Sequence, residues 1–119
     1  MMIPGLYTFE ATARTSDSCS FCVQYNRAHP LYAGHFEGQP VTPGVCLIQT
    51  ATELLGMAMG HPLRLIGARQ VKFLQMHTPE KPLQFLLSWS KVDIQINALI
   101  SVFQNDICIA KFNVQFEPS

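Results

Sequence analysis

His35-Phe36-Glu37-Gly38-Gln39-Pro40-Val41-Thr42-Pro43-Gly44 leads directly into an apolar run that continues to Gly60. The change of character at Thr42 reads as a helix start. Thr42 can cap, Pro43 suits the first helical position, and Gly44 and Val45 then present backbone N–H groups without an intrahelical acceptor. Such an end attracts an oxyanion or the oxygen of a polarised carbonyl. His35, just upstream, carries the side chain that titrates near neutrality. A base beside a set of N–H donors is the chemistry this stretch offers.

From Pro43 to about Met59 the apolar residues at 47, 48, 51, 54, 55 and 58 form a helical stripe. Gln49, Thr52, Glu53 and Gly56 mark the opposite face. A helix this apolar belongs in a core, so its polar face must meet something specific. Gly60 and Pro62 are a stop signal, and His61 beside them is expected to cap the helix end.

The remainder reads as strand. Leu6 to Ala13 and Cys19 to Tyr25 precede the helix, separated by the Ser16-Asp17-Ser18 turn. About 64 to 76, 83 to 91, 94 to 103 and 107 to 116 follow it. Thr78-Pro79-Glu80-Lys81-Pro82 breaks the first two of these, and Gln104-Asn105-Asp106 joins the last two as a hairpin. Two strands, one helix and four strands imply one α+β domain over 1–119 with an antiparallel sheet. His29 and His77 fall in or beside loops and are expected at the surface. Cys19 and Cys22 form a C-x-x-C pair, but on a strand that spacing sends them to opposite faces. Cys46 and Cys108 stand alone, so no metal site is expected.

The seven positions His35-Phe36-x-Gly38-x-Pro40-Val41-x-Pro43-Gly44 resemble the active-site signature of the 3-hydroxyacyl-acyl-carrier-protein dehydratases of fatty acid synthesis. Gly34 and Pro30 match the residues before it, while Glu37 replaces the commonest proline. The resemblance implies a hotdog fold, an antiparallel sheet wrapped around one central helix. It implies that His35 is the base and that the Gly44 N–H grips the thioester carbonyl. A helix residue, supplied by the neighbouring subunit, then helps water to leave. Phe36, Gly38, Pro40, Val41 and Val45 become candidates for substrate contact, Phe36 and Val41 along an apolar tunnel. No cofactor is implied.

That family carries an acidic residue five places after the Pro-Gly pair and a glutamine one turn later. Here the two types are exchanged, as Gln49 and Glu53. Gln49 cannot give a proton as a carboxylic acid does, though it can hydrogen-bond a water or hydroxyl. Glu53 stands one turn along on the same face, about 5–6 Å away between Cβ atoms. A structural hydrogen bond to Gln49 is its first expectation, and proton donation from a shifted pose its second.

The composition narrows the partners. A chain of 119 residues, 48% hydrophobic and 13% charged, suits a core with further apolar surface hidden by association. A homodimer or higher oligomer is expected, or a heterodimer with a related dehydratase. Zero formal charge argues against nucleic acid. Arg64, Arg69, Lys72, Lys81 and Lys91 face a single acid, Glu80, over 64–91, a basic bias that suits an acidic acyl carrier protein and suits ordinary solvated strand faces and turns equally well. No run is long enough to span a membrane, and Met1 to Phe9 lacks the pattern of a signal peptide, so a cytoplasmic protein is expected. Three functions remain open: a dehydratase giving trans-2-enoyl products for fatty acid, polyene or polyketide synthesis; a partner subunit completing a shared site; and an acyl-thioester-binding or thioesterase protein.

Overall fold

The computed structural model describes residues 4–33 and 40–119. Six strands, β1 (Tyr7–Arg14), β2 (Ser18–Tyr25), β3 (Leu63–Phe73), β4 (Leu83–Val92), β5 (Gln95–Gln104) and β6 (Ile107–Pro118), form one sheet. Their spatial order is β1-β2-β4-β5-β6-β3, with every neighbouring pair antiparallel. The single α-helix, α1 (Gly44–Met59), packs against one face of this sheet.

Alternation in the sequence decides which face is covered. Leu83, Phe85 and Leu87 of β4, Ile96, Ala98, Ile100 and Val102 of β5, and Ala110, Phe112, Val114 and Phe116 of β6 all point inward. They close on Leu47, Ala51, Leu54 and Leu55 of α1. The expected stripe is therefore the buried one, although Ile48 and Ala58 lie only half-buried at its margins. Asn105, at φ 55°, sits in the hairpin expected between β5 and β6, and Asp93 at φ 56° does the same between β4 and β5. Both are among the residue types that tolerate this left-handed region.

The far end of α1 is stopped as the glycine and proline suggest. Gly60 adopts φ 83°, its N–H reaches the Met57 carbonyl, and the N–H of His61 reaches the Gly56 carbonyl at 3.1 Å. Gly60, rather than His61, is the cap; the His61 ring instead contacts the Pro62 carbonyl. Arg14 of β1 adds a cation there, donating to the Ala58 carbonyl at 2.7 Å.

Expectations at the other end and in the loops near it are corrected. Helix α1 begins at Gly44, with Pro43 as the extended residue before it and no side-chain cap. Thr42 does not cap, because its hydroxyl is turned inward to His77 and Tyr32. His77, expected at the surface, is 1% exposed. His29 is half-buried and caps a short 3-10 turn, Pro30–Tyr32, by accepting from the Leu31 N–H. The first strand after α1 ends at Phe73 rather than 76.

Edge strands β1 and β3 leave one side of their ladders unpaired within the chain. Along β3 and just beyond it, Leu65, Ile66, Val71, Phe73, Leu74 and Met76 are exposed. An apolar free edge of this kind is a surface for association. No helix among the described residues is long and apolar enough to cross a membrane.

Candidate active site

The start of α1 is shaped by a close approach. A Cβ on Gly44 would lie 2.5 Å from Cζ of Phe73, so glycine lets the aromatic ring close over the first turn. The Phe73 ring in turn packs edge-on against Phe112 of the core, centroids 5.7 Å apart. Cys46 and Leu47 donate their amides to the Pro43 carbonyl. The amides of Gly44 and Val45 come first in the helix and have no acceptor among the described residues. Pro40 is half-buried, Val41 is buried within the protomer, and Val45 is 71% exposed. His35, Phe36 and Gly38 lie outside the described residues.

One turn along, Gln49 and Glu53 meet as their spacing predicts. The Gln49 amide donates to Glu53 Oε2 at 3.0 Å. The second carboxylate oxygen accepts a 2.6 Å hydrogen bond from the Tyr7 hydroxyl of β1, a partner 46 positions away. Burial pushes the Tyr7 phenol well above its ordinary range, and the bond to Glu53 and that group's charge push the same way. Tyr7 is thus held as a donor. Both oxygens of Glu53 are engaged by donors, so the carboxylate is built into the wall as well as facing the space beyond it.

That space is a cavity of about 450 Å³, lined by Gln49, Thr52 and Glu53 together with Met57, His61 and Leu63. Its lining is mainly apolar, with the amide and carboxylate as convergent polar groups, the usual composition of a small-molecule site. Gly44 and Val45 do not line it. Within one protomer the structure brings Gln49 and Glu53 together and leaves the helix start about a turn away.

Other expected elements resolve simply. Cys19 is buried and Cys22 exposed, on opposite faces of β2. Sequence reasoning missed Tyr7, because nothing local ties a strand tyrosine to a helix carboxylate. It also missed the group under the helix start formed by Tyr32, Thr42 and His77.

A six-stranded antiparallel sheet closed on one long helix defines a hotdog-fold protein. The chain belongs to the ApeI-like family, whose model, described as ApeI dehydratase, matches residues 11–110. No curated protein sequence matches it. Among solved structures it is similar to the dehydratase heterocomplex ApeI:P from Xenorhabdus doucetiae, with a TM-score of 0.75 and 15% identity over 91% of this chain and 94% of that one. An uncharacterised protein from Erwinia carotovora subsp. atroseptica aligns over 98% of both chains with a TM-score of 0.69 and 21% identity. A hypothetical thioesterase with coenzyme A from Streptococcus pneumoniae gives a TM-score of 0.73 at 8% identity, covering 94% of this chain and 89% of that one. The motif from His35 to Gly44 and the family model meet at the level of a dehydratase.

Proposed function

We propose that the protein dehydrates 3-hydroxyacyl thioesters carried by acyl carrier protein, giving trans-2-enoyl thioesters. The observation that carries this reading is the family match over residues 11–110, which takes in the whole His35 to Gly44 motif and α1. In the proposed reaction His35 removes the C2 proton, and the Gly44 amide holds the thioester oxygen as negative charge develops on it. The C2–H electron pair becomes the C2–C3 double bond, the C3–O bond breaks, and hydroxide leaves as water on receiving a proton. The positions that would face this departing group are Gln49 and Glu53.

The hydrogen bonds at Glu53 give two distinguishable roles. If Glu53 supplies the proton, Glu53→Gln should lower kcat by about a hundredfold or more, the usual loss for a general acid. Tyr7→Phe should lower it much less, since the carboxyl survives. If Glu53 only braces Gln49, the two variants should give similar losses of a few-fold. We expect the first pattern in an enzyme that works alone, measured as enoyl formation by each purified variant.

A second reading is favoured by the exposed apolar residues on edge strand β3. Such an edge suits a second hotdog chain, and the ApeI:P protein is itself a dehydratase heterocomplex. In this reading His35 and Gly44 would meet the acidic residue of a different subunit. The separation of Gly44 from the Gln49–Glu53 cavity within one protomer is compatible with either assembly. Dehydration assayed with the purified chain alone, and again with a co-expressed homologue, separates them. Turnover by the chain alone supports the self-sufficient enzyme, and turnover only with the homologue supports the shared site.

A further inference from the structure

A buried hydrogen-bond chain runs beneath the start of α1. The Tyr32 hydroxyl lies 2.9 Å from Thr42 Oγ1, and that oxygen lies 2.8 Å from Nδ1 of His77. On the far side, His77 Nε2 is 2.7 Å from the Lys81 carbonyl. The backbone adds a fourth link, from the Thr42 N–H to the His77 carbonyl at 2.8 Å. His77, Thr42 and Tyr32 are 1%, 4% and 5% exposed, so the two side-chain bonds that join them are made out of contact with bulk water, while the bond to Lys81 is half-buried.

The direction of every bond follows from the last acceptor. A carbonyl only accepts, so Nε2 of His77 carries the hydrogen. In a neutral imidazole Nδ1 is then an acceptor, Thr42 donates to it, and Tyr32 donates to Thr42. A second proton would turn Nδ1 into a donor facing Thr42 and would reverse the chain, with Thr42 donating to Tyr32 and the Tyr32 hydrogen losing its acceptor. Burial holds the His77 pKa down, opposed by the Lys81 carbonyl bond and by Glu80. The groups packed round the ring are Tyr25 from β2, at 5.6 Å between centroids, Thr42 before α1, and Glu80 and Lys81 of its own loop.

We infer that His77 is a positioning residue: as a neutral imidazole it fixes Thr42, and through Thr42 it sets the Pro43–Gly44 start of α1. The inference rests on the proposed role of the Gly44 amide. It does not require His77 to touch substrate. A threonine that cannot rotate or shift keeps the first-turn amides aimed at one point, which is what a preorganised oxyanion site needs.

The stability consequence has a definite sign. With the folded pKa below the unfolded value of about 6.5, the unfolded chain binds the proton more readily. The contribution of His77 is present above about pH 6.5 and is lost as pH falls from there through the lower folded pKa. His77→Asn, which keeps an acceptor near Nδ1 but cannot titrate, should remove this acid-side loss.

The test uses amide hydrogen exchange and kinetics on the full chain. The Cys46 and Leu47 amides, both bonded to the Pro43 carbonyl, report on the first turn, and the Val102 amide reports on the core. Thr42→Val and His77→Gln should each speed Cys46 exchange by about tenfold relative to Val102, as expected for one lost buried hydrogen bond. They should also lower kcat for dehydration by a similar factor with KM little changed. Thr42→Ser and His77→Asn should recover most of both losses. Exchange that is unchanged at Cys46, or raised equally at Val102, would overturn the inference. Exchange needs no substrate, so a chain without dehydratase activity would overturn the role of Gly44 and leave the His77–Thr42 link to be decided by the exchange result.

Discussion

His35→Ala is expected to reduce kcat/KM for dehydration by about a thousandfold or more, while leaving the melting transition within a few degrees. The size follows from what is removed. A positioned base contributes about 10²–10⁴ in rate. Two of the other histidines are already engaged: His77 is buried and bonded at both ring nitrogens, and His29 contacts the Pro4 carbonyl and the Leu31 amide. His61 lines the cavity, but its ring contacts the Pro62 carbonyl at the far end of α1. The comparison needs both readouts, enoyl formation and thermal denaturation, on the same preparation. Activity persisting in a folded His35→Ala protein would remove His35 from the mechanism.

Leu54→Ala should give the largest loss of stability, about 2–5 kcal/mol by chemical denaturation. Leu54 is fully buried on α1, where it faces the inward residues of the sheet. Truncation removes the favourable transfer of the side chain and leaves a void that neighbours on a hydrogen-bonded sheet fill poorly. Against a total of about 5–15 kcal/mol for a typical domain, that is a large share. Val45→Ala, at a position 71% exposed on the same helix, should change stability by less than about 0.5 kcal/mol. Equal effects at the two positions would mean that the buried stripe does not hold the helix to the sheet.

The sequence and the structure agree best where the information is local. Alternation in β4, β5 and β6 is strict enough to name the inward residues, because one side of the sheet is covered by α1 and the other is not. The helix stripe, the Gly60 stop and the Asn105 turn are likewise written in neighbouring residues. The Gln49–Glu53 contact is legible for the same reason, since a helix places residues four apart side by side.

What was not legible depends on residues far apart in the chain. Thr42 beside Pro43 has the local form of a helix cap, yet a buried imidazole 35 positions on competes for its hydroxyl and wins. His77 borders a proline-rich loop and so reads as exposed; it is buried because its carbonyl and both its ring nitrogens all find partners in that loop and before α1. Tyr7 reads only as part of an edge strand, and its bond to Glu53 exists because β1 lies near the polar face of the helix. Each of these three is a polar contact in a buried or half-buried place, where tertiary packing rather than local preference chooses the partner.

Dehydration and hydrolysis are told apart by mass analysis of a 3-hydroxyacyl group on its carrier protein, labelled with deuterium at C2, after incubation with the purified protein. It is repeated with a co-expressed homologue present. The carrier-bound acyl group is expected to lose one water, with one C2 deuterium released to solvent. Release of the free 3-hydroxy acid with its C2 label intact would contradict the dehydratase reading and point to thioester hydrolysis. An unchanged substrate under both conditions would contradict it equally, and would leave an acyl-binding protein of the same fold.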